Sequence, residues 1–247
     1  MAKSPDTYSI AKMYKYLRVC DVSDGLDAVG RPDIMLMDPA MRPIFQGIKF
    51  WGPAVTERII PANKLMRAPL TRQEAVDVHR LWFEDVGRGG AVNPHIKAGC
   101  VVVTDAHSCG EVGVWGSMNC LTVINAGAVG IVSDGCARDT AELFMSKTPV
   151  VCKQRARTII PGRNLFANAM EPVGCGGVLV RPGDIVGCDD DGCLCVPAEV
   201  AEEVGKIASD ILIDDEKKRR TFYKKLGIPL DDSVNVELLE EFYKPWN

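Results

Sequence analysis

Apolar positions along this chain fall at two spacings, three to four residues apart and two apart, and the alternation between them marks out its elements. Residues 7–19 carry Tyr8, Ile10, Ala11, Tyr14 and Leu17 at helical spacing. Ser23-Asp24-Gly25-Leu26 follows and reads as the start of a second helix, with Ser23 or Asp24 as its cap. Residues 43–60 read as extended, interrupted by Gly47, Gly52 and Pro53. Val76, Val78, Leu81, Trp82 and Val86 predict a helix over 71–86, ahead of a glycine-rich turn at Gly87-Arg88-Gly89-Gly90.

The middle of the chain is more regular. Val101-Val102-Val103-Thr104-Asp105 is a β-branched run ending in an acid, as a buried parallel strand would be, and Gly130-Ile131-Val132-Ser133-Asp134 repeats that pattern. A polar loop over 106–117 and a helix from Met118 to Ala126 lie between them. Arg138-Asp139-Thr140-Ala141-Glu142-Leu143 opens another helix, and Pro149-Val150-Val151-Cys152 a further strand, which together predict a βαβ core. After residue 160 the pattern turns to hairpins. Gly174–Val180 and Asp184–Val196 read as short strands with tight turns at Arg181–Asp184 and Asp189–Gly192, so parallel and antiparallel pairing mix. The last fifty residues are helical and charged, with Glu216–Arg220 as a solvated face.

Composition narrows the function classes. The chain has 247 residues and a net charge of -4, with no basic block to neutralise a phosphate backbone, which argues against nucleic acid as its partner. No apolar run approaches the roughly 20 residues of a membrane span. Ten cysteines sit mostly inside apolar segments, as in Gly99-Cys100-Val101, and read as free buried thiols of a reduced, cytoplasmic protein.

Chemistry points to the helix start after the second acid-ended strand. Ligands of open α/β sheets gather beyond the carboxyl ends of the strands. There Arg138 can hold a carboxylate or phosphate through paired hydrogen bonds, and Asp139 can hold a hard divalent cation. Gly116-Ser117-Met118-Asn119 lies at a second loop-to-helix junction, whose backbone amides would meet an anion. Glu142, one turn beyond Arg138, could orient either the arginine or the cation.

Other clusters carry less. His107, Cys109, Cys193 and Cys195 lack the spacing of a structural zinc site. His79 and His95 read as ordinary structural or surface histidines, and Trp82 and Trp115 as core or interface residues. Asp189-Asp190-Asp191 reads as a turn rather than a calcium loop, and the 87–90 glycines fit no nucleotide template.

The block Val132-Ser133-Asp134-Gly135-Cys136-Ala137-Arg138-Asp139 resembles the class II 4-hydroxy-4-methyl-2-oxoglutarate aldolase family, which also contains the regulator of ribonuclease activity A. Met37–Pro43, Gly52–Thr56, Arg181–Val186 and Asp189–Gly192 also read like family segments, so that the likeness runs from about residue 20 to 205. It implies an α/β/α swivelling-type (RraA-like) domain over 1–205 with a mixed parallel and antiparallel sheet. Residues 206–247 would form a helical extension packed on a neighbouring subunit of a homotrimer or hexamer. It also implies a metal-dependent lyase that splits a 4-hydroxy-2-oxo acid or decarboxylates oxaloacetate. Arg138 would bind the substrate carboxylate, Asp139 would bind Mg2+ or Mn2+, and Gly116, Ser117, Met118 and Asn119 would complete the anion pocket. Where the aldolases carry an aspartate this chain has Ser117, which removes a charge and a general base; Glu111, Asp105 or His107 in the same loop could substitute, the alternative being an altered or lost activity. The alternatives are a related lyase of aromatic or sugar-acid breakdown and a non-catalytic regulator of a ribonuclease.

Overall fold

The computed structural model describes residues 5–63, 71–77 and 92–246. Two hydrophobic clusters organise it around a mixed nine-stranded sheet, a large one built on the parallel strands and a smaller one between one edge of the sheet and the terminal helices. The strands are β1 (Arg42–Pro43), β2 (Phe50–Pro61), β3 (Val101–Asp105), β4 (Gly113–Trp115), β5 (Gly130–Ala137), β6 (Val150–Arg155), β7 (Asn164–Ala169), β8 (Val173–Cys175), β9 (Val178–Val180), β10 (Ile185–Asp189) and β11 (Gly192–Val196). The main path runs β1-β6-β5-β3-β2-β10-β11, with β4 against β5 and β7 against β2, while β8 and β9 form a separate hairpin. Pairing is parallel along β2-β3-β5-β6 and antiparallel at both ends, as the switch from βαβ to hairpin pattern predicts.

The helices are α1 (Thr7–Ala11), α2 (Val19–Ala28), α3 (Ser117–Asn125), α4 (Thr140–Met145), α5 (Ala201–Leu226) and α6 (Val236–Tyr243), and residues 72–77 are also helical. The predicted first helix breaks at residues 16–18, and α2 starts at Val19 rather than at Ser23 or Asp24. Asp21 decides this. Its carboxylate accepts from the Arg18 amide at 2.9 Å and from the Arg18 guanidinium, which caps the helix four residues ahead of the serine. The polar loop expected over 106–117 also contains β4, and β7 had no counterpart in the pattern. His79, Trp82, the glycines at 87–90 and the later part of the predicted 71–86 helix lie outside the described residues.

Strand β11 shows how the two cores share the sheet. Cys193 and Cys195 face one cluster, while Leu194 and Val196 face the other, between β10–β11 and helices α2, α5 and α6. Their packing role matches the reading of those cysteines as small hydrophobes. None of the ten cysteines forms a disulfide, and nine are buried.

Helix α5 is amphipathic only over its first two-thirds. Its buried positions run from Ala201 to Glu216, and beyond them Phe222 and Leu226 are exposed. Glu216 itself corrects the expected solvated face: it is 3% exposed and 3.8 Å from the Arg18 guanidinium. Leu239 and Tyr243 of α6 close the second core, so the inner face of the C-terminal extension packs on its own chain.

Glu57 on β2 is buried on the sheet with Thr104 donating to one carboxylate oxygen at 2.9 Å and the other oxygen without a partner. Burial pushes its pKa up to about 7. The folded chain therefore holds a proton that the unfolded chain releases near pH 4.5, so stability declines between about pH 4.5 and 7 and then levels off. The shift corresponds to roughly 3 kcal/mol. Glu57→Gln is expected to remove most of that decline, read as the difference between the two urea-unfolding profiles across this range. Parallel profiles would place the proton elsewhere.

Candidate active site

The site forms because β4 and β5 run parallel and end together. Gly113 and Trp115 pair with Cys136 and Ala137, and the Arg138 amide donates to the Trp115 carbonyl at 2.8 Å. Each strand then leads straight into a helix, β4 into α3 and β5 into α4. The two helix starts foreseen in the sequence thus lie side by side.

Asp139 caps α4 in the left-handed conformation, with φ 57° and ψ 42°, a region aspartate tolerates better than most residues. That turn directs its carboxylate back toward α3. One oxygen accepts from the Ser117 amide at 3.1 Å and lies 3.3 Å from the Ser117 hydroxyl; the other accepts from Arg138 Nε at 3.2 Å. A non-glycine residue at 113 or 116 would collide with this pair. A Cβ on Gly116 would lie 2.9 Å from the Asp139 carboxylate, and one on Gly113 would lie 2.8 Å from the Arg138 side chain and 2.6 Å from the Thr158 carbonyl.

Beside the pair is a cavity of about 280 Å3 lined by Gly113, Gly116, Met118, Asn119, Arg138, Asp139, Ile159 and Ile160. The first intrahelical bond of α3 runs from Cys120 to Gly116, which leaves the amides of Met118 and Asn119 without an acceptor inside the helix. Neither terminal nitrogen of Arg138 has a hydrogen-bond partner among the described residues. One anchored guanidinium, two unsatisfied amides and one carboxylate therefore converge on a space with two isoleucines on its far wall.

Of the residues singled out in the sequence, Gly116, Met118, Asn119, Arg138 and Asp139 line this cavity and Ser117 touches it through Asp139. Glu142 lies on the exposed face of α4 and is not among the lining residues. Glu111 pairs with Arg157 at 2.8 and 2.9 Å, which holds its carboxyl below the usual range. The isoleucine wall was missed, because two apolar residues in a loop past β6 have no periodicity to betray a role.

Asp105 and His107 belong to a different group. With Asp134 they form a cluster whose possible ligand atoms lie within 4.8 Å of one another. Each carboxylate already has partners: Asp105 accepts from Arg58 Nε at 2.8 Å, and Asp134 from the amides of Ala106 and Gly176 at 2.7 and 3.2 Å. Burial pushes the Asp134 carboxyl up. The Asp134 bonds tie the middle of β5 to the end of β3 and to the β8–β9 turn. The Asp139 carboxylate also has partners, in Ser117 and Arg138, but it lines an open volume with room for a hard divalent cation, water and substrate oxygens, which suits a cation that keeps part of its hydration.

A family model described as RraA-like (Aldolase/RraA) matches residues 19–195. A Deinococcus radiodurans protein that carries a provisional 4-hydroxy-4-methyl-2-oxoglutarate aldolase name is 32% identical over 190 residues, covering 76% of this chain and 99% of its own. Protein DlpA of Legionella pneumophila is 27% identical over 197 residues; the match covers 80% of this chain and 29% of DlpA, so the chain spans less than a third of that relative. Among solved structures, Streptomyces coelicolor RraAS2, described as an unusual member of the RNase ES inhibitor RraA protein family, superposes with a TM-score of 0.71 at 26% identity. That superposition covers 88% of this chain and 99% of RraAS2.

Proposed function

We propose that this chain, which belongs to the RraA-like (Aldolase/RraA) family, is a divalent-metal-dependent lyase that splits a 4-hydroxy-2-oxo acid or decarboxylates oxaloacetate, releasing pyruvate. The observation that carries the reading is the division of labour in one cavity: Arg138 offers two unpaired nitrogens and Asp139 the lining carboxylate.

Arg138 grips the substrate carboxylate by a forked pair of hydrogen bonds, and its Nε bond to Asp139 fixes the plane of the fork. The amides of Met118 and Asn119 hold a second anionic oxygen at the start of α3. Asp139 would hold Mg2+ or Mn2+, which when bound supplies a Lewis acid to polarise the keto group. Ser117 keeps the Asp139 carboxylate in place through its amide and hydroxyl, a positioning role rather than an acid–base one. Ile159 and Ile160 shield the reacting carbons from water.

The test is a coupled assay for pyruvate from oxaloacetate and from 4-hydroxy-4-methyl-2-oxoglutarate. Metal-dependent turnover that chelator abolishes is expected from at least one. No turnover of either with Mg2+ or Mn2+ would sink the assignment. Ser117 and the isoleucine wall favour, as a second reading, a related lyase with a different oxo acid, and turnover confined to other oxo acids would select it. A ribonuclease regulator on the same scaffold, the class to which RraAS2 is assigned by name, would bind its partner equally well after Arg138→Ala.

The reading includes assembly as a homotrimer or hexamer in the cytoplasm; among the described residues no helix is long and apolar enough to cross a membrane. Phe222 and Leu226 at the far end of α5 would meet a neighbouring subunit. Phe222→Glu with Leu226→Glu is expected to lower the mass measured by light scattering without changing the circular dichroism; an unchanged mass would remove α5 from the interface.

A further inference from the structure

A groove of about 830 Å3 on another part of the molecule has no place in the chemistry above. It lies between the N-terminal turn and the C-terminal helices, and its walls include Tyr8, Lys12, Lys15, Lys49, Phe242 and Trp246. Its volume falls in the range of about 300–1,000 Å3 typical of small-molecule sites.

The lysines are arranged, not scattered. Lys12 and Lys15 bound a single 3-10 turn, where side chains three apart eclipse one another. Met13 and Tyr14 between them are fully buried, so both lysines stand on the outer side of that turn. The Lys15 ammonium lies 4.9 Å from the centre of the Tyr16 ring and 5.9 Å from that of Phe242. Lys49 arrives from the segment before β2 and donates to the Tyr16 carbonyl at 2.9 Å, which leaves two of its protons free.

Positive charge gathers on the walls of this groove. Among the described residues none of Lys12, Lys15 and Lys49 has a carboxylate within ion-pair distance, and no acid lines the groove. Loss of hydration pushes the Lys49 ammonium down from its usual pKa, a shift that the charges of Asp189 and Asp21 only partly offset. In a chain of net charge -4, three unpaired cations around one aromatic groove call for an anion.

The groove also lies where the chain departs from its family. Tyr8, Lys12 and Lys15 precede the matched residues 19–195, and Phe242 and Trp246 follow them. Two segments outside the family match meet on one face and enclose a space that the matched residues do not build alone.

We propose that this groove binds a phosphorylated ring compound of the nucleoside-phosphate class. Its ring lies against Phe242, Trp246 and Tyr8, and its phosphates lie on Lys12, Lys15 and Lys49. Each wall matches one part of such a ligand: ammonium groups meet phosphate as point charges, and the aromatic faces meet the flat ring.

The test is calorimetric titration of the full chain with ADP, adenosine and pyrophosphate as probes. Saturable binding of one ADP per chain is expected, at least about tenfold tighter than either fragment. Lys12→Ala with Lys15→Ala should weaken ADP by about tenfold or more and steepen no melting curve, while metal-dependent pyruvate release at the Arg138–Asp139 site stays unchanged. Trp246→Ala, with its fold checked by circular dichroism, should weaken ADP while leaving pyrophosphate binding as it was. Absence of saturable ADP binding below about 1 mM, or a double variant that binds like the parent, overturns the proposal. Pyrophosphate binding as tight as ADP, or a poly-glutamate peptide binding tighter than both, overturns the ring and assigns the groove to a bare anion or an acidic peptide.

Discussion

Asp139→Asn is expected to lower kcat/KM for metal-dependent pyruvate release by about a thousandfold and leave the fold intact. Asparagine is isosteric and, like aspartate, enters the left-handed backbone region that residue 139 occupies at φ 57°. The Ser117 amide can still donate to its side-chain oxygen. What disappears is the negative charge, and with it both the hold on a divalent cation and the Coulomb attraction to Arg138. A thousandfold loss corresponds to about 4 kcal/mol, the size expected when a hard cation loses its charged protein ligand in a half-buried pocket. Asp139→Ala should lose as much activity and also some stability, since alanine has no favourable way to adopt this turn. The measurement is kcat/KM over a manganese titration alongside thermal melts. Activity within about threefold of the parent would show that Asp139 does not hold the metal and would take the proposed mechanism with it.

Arg138→Ala is expected to raise KM for the oxo acid about a hundredfold, roughly 2.7 kcal/mol, with a smaller fall in kcat. The guanidinium is held from behind by its Nε bond to Asp139 and by contact of its methylenes with the Gly113 backbone, so its two terminal nitrogens meet the ligand already ordered. Arg138→Lys should recover only part of the loss, because an ammonium supplies the charge without the planar fork. A fall in kcat at unchanged KM would instead assign Arg138 to the transition state alone. Together the two variants separate metal from carboxylate: chelator should mimic the first and leave substrate binding by the second unaffected.

The central βαβ segment was legible because its strands are buried on both faces, which turns them into apolar runs rich in β-branched residues, although β5 continues three residues past the acid at which the pattern ended it. The pairing of Arg138 with Asp139 needed only their adjacency at a helix start. The early start of α2 was hidden, since it depends on Asp21 reaching back to Arg18 rather than on the serine a cap search favours. Strand β7 was hidden too: its burial is mixed, and it is a strand because the long β2 has an open flank past Glu57 for it to pair with. Glu216 looked solvated from its charged neighbours, yet it turns inward to Arg18 from almost two hundred residues away.

Local sequence determined the elements, the family and the two helix starts that carry the candidate chemistry, because periodicity, caps and adjacent residue types act over a few positions. Tertiary structure alone decided that β4 and β5 end together, which sets Ser117 against Asp139, closes Gly113 over Arg138 and adds Ile159 and Ile160 as a wall. It also sorted the acids, leaving Asp139 in the cavity while Asp105 and Asp134 bind strand ends and Glu111 binds Arg157. The physical reason is one of range: a hydrogen bond or a collision acts over about 3 Å, and which distant residues come that close is fixed only once the sheet has chosen its strand order.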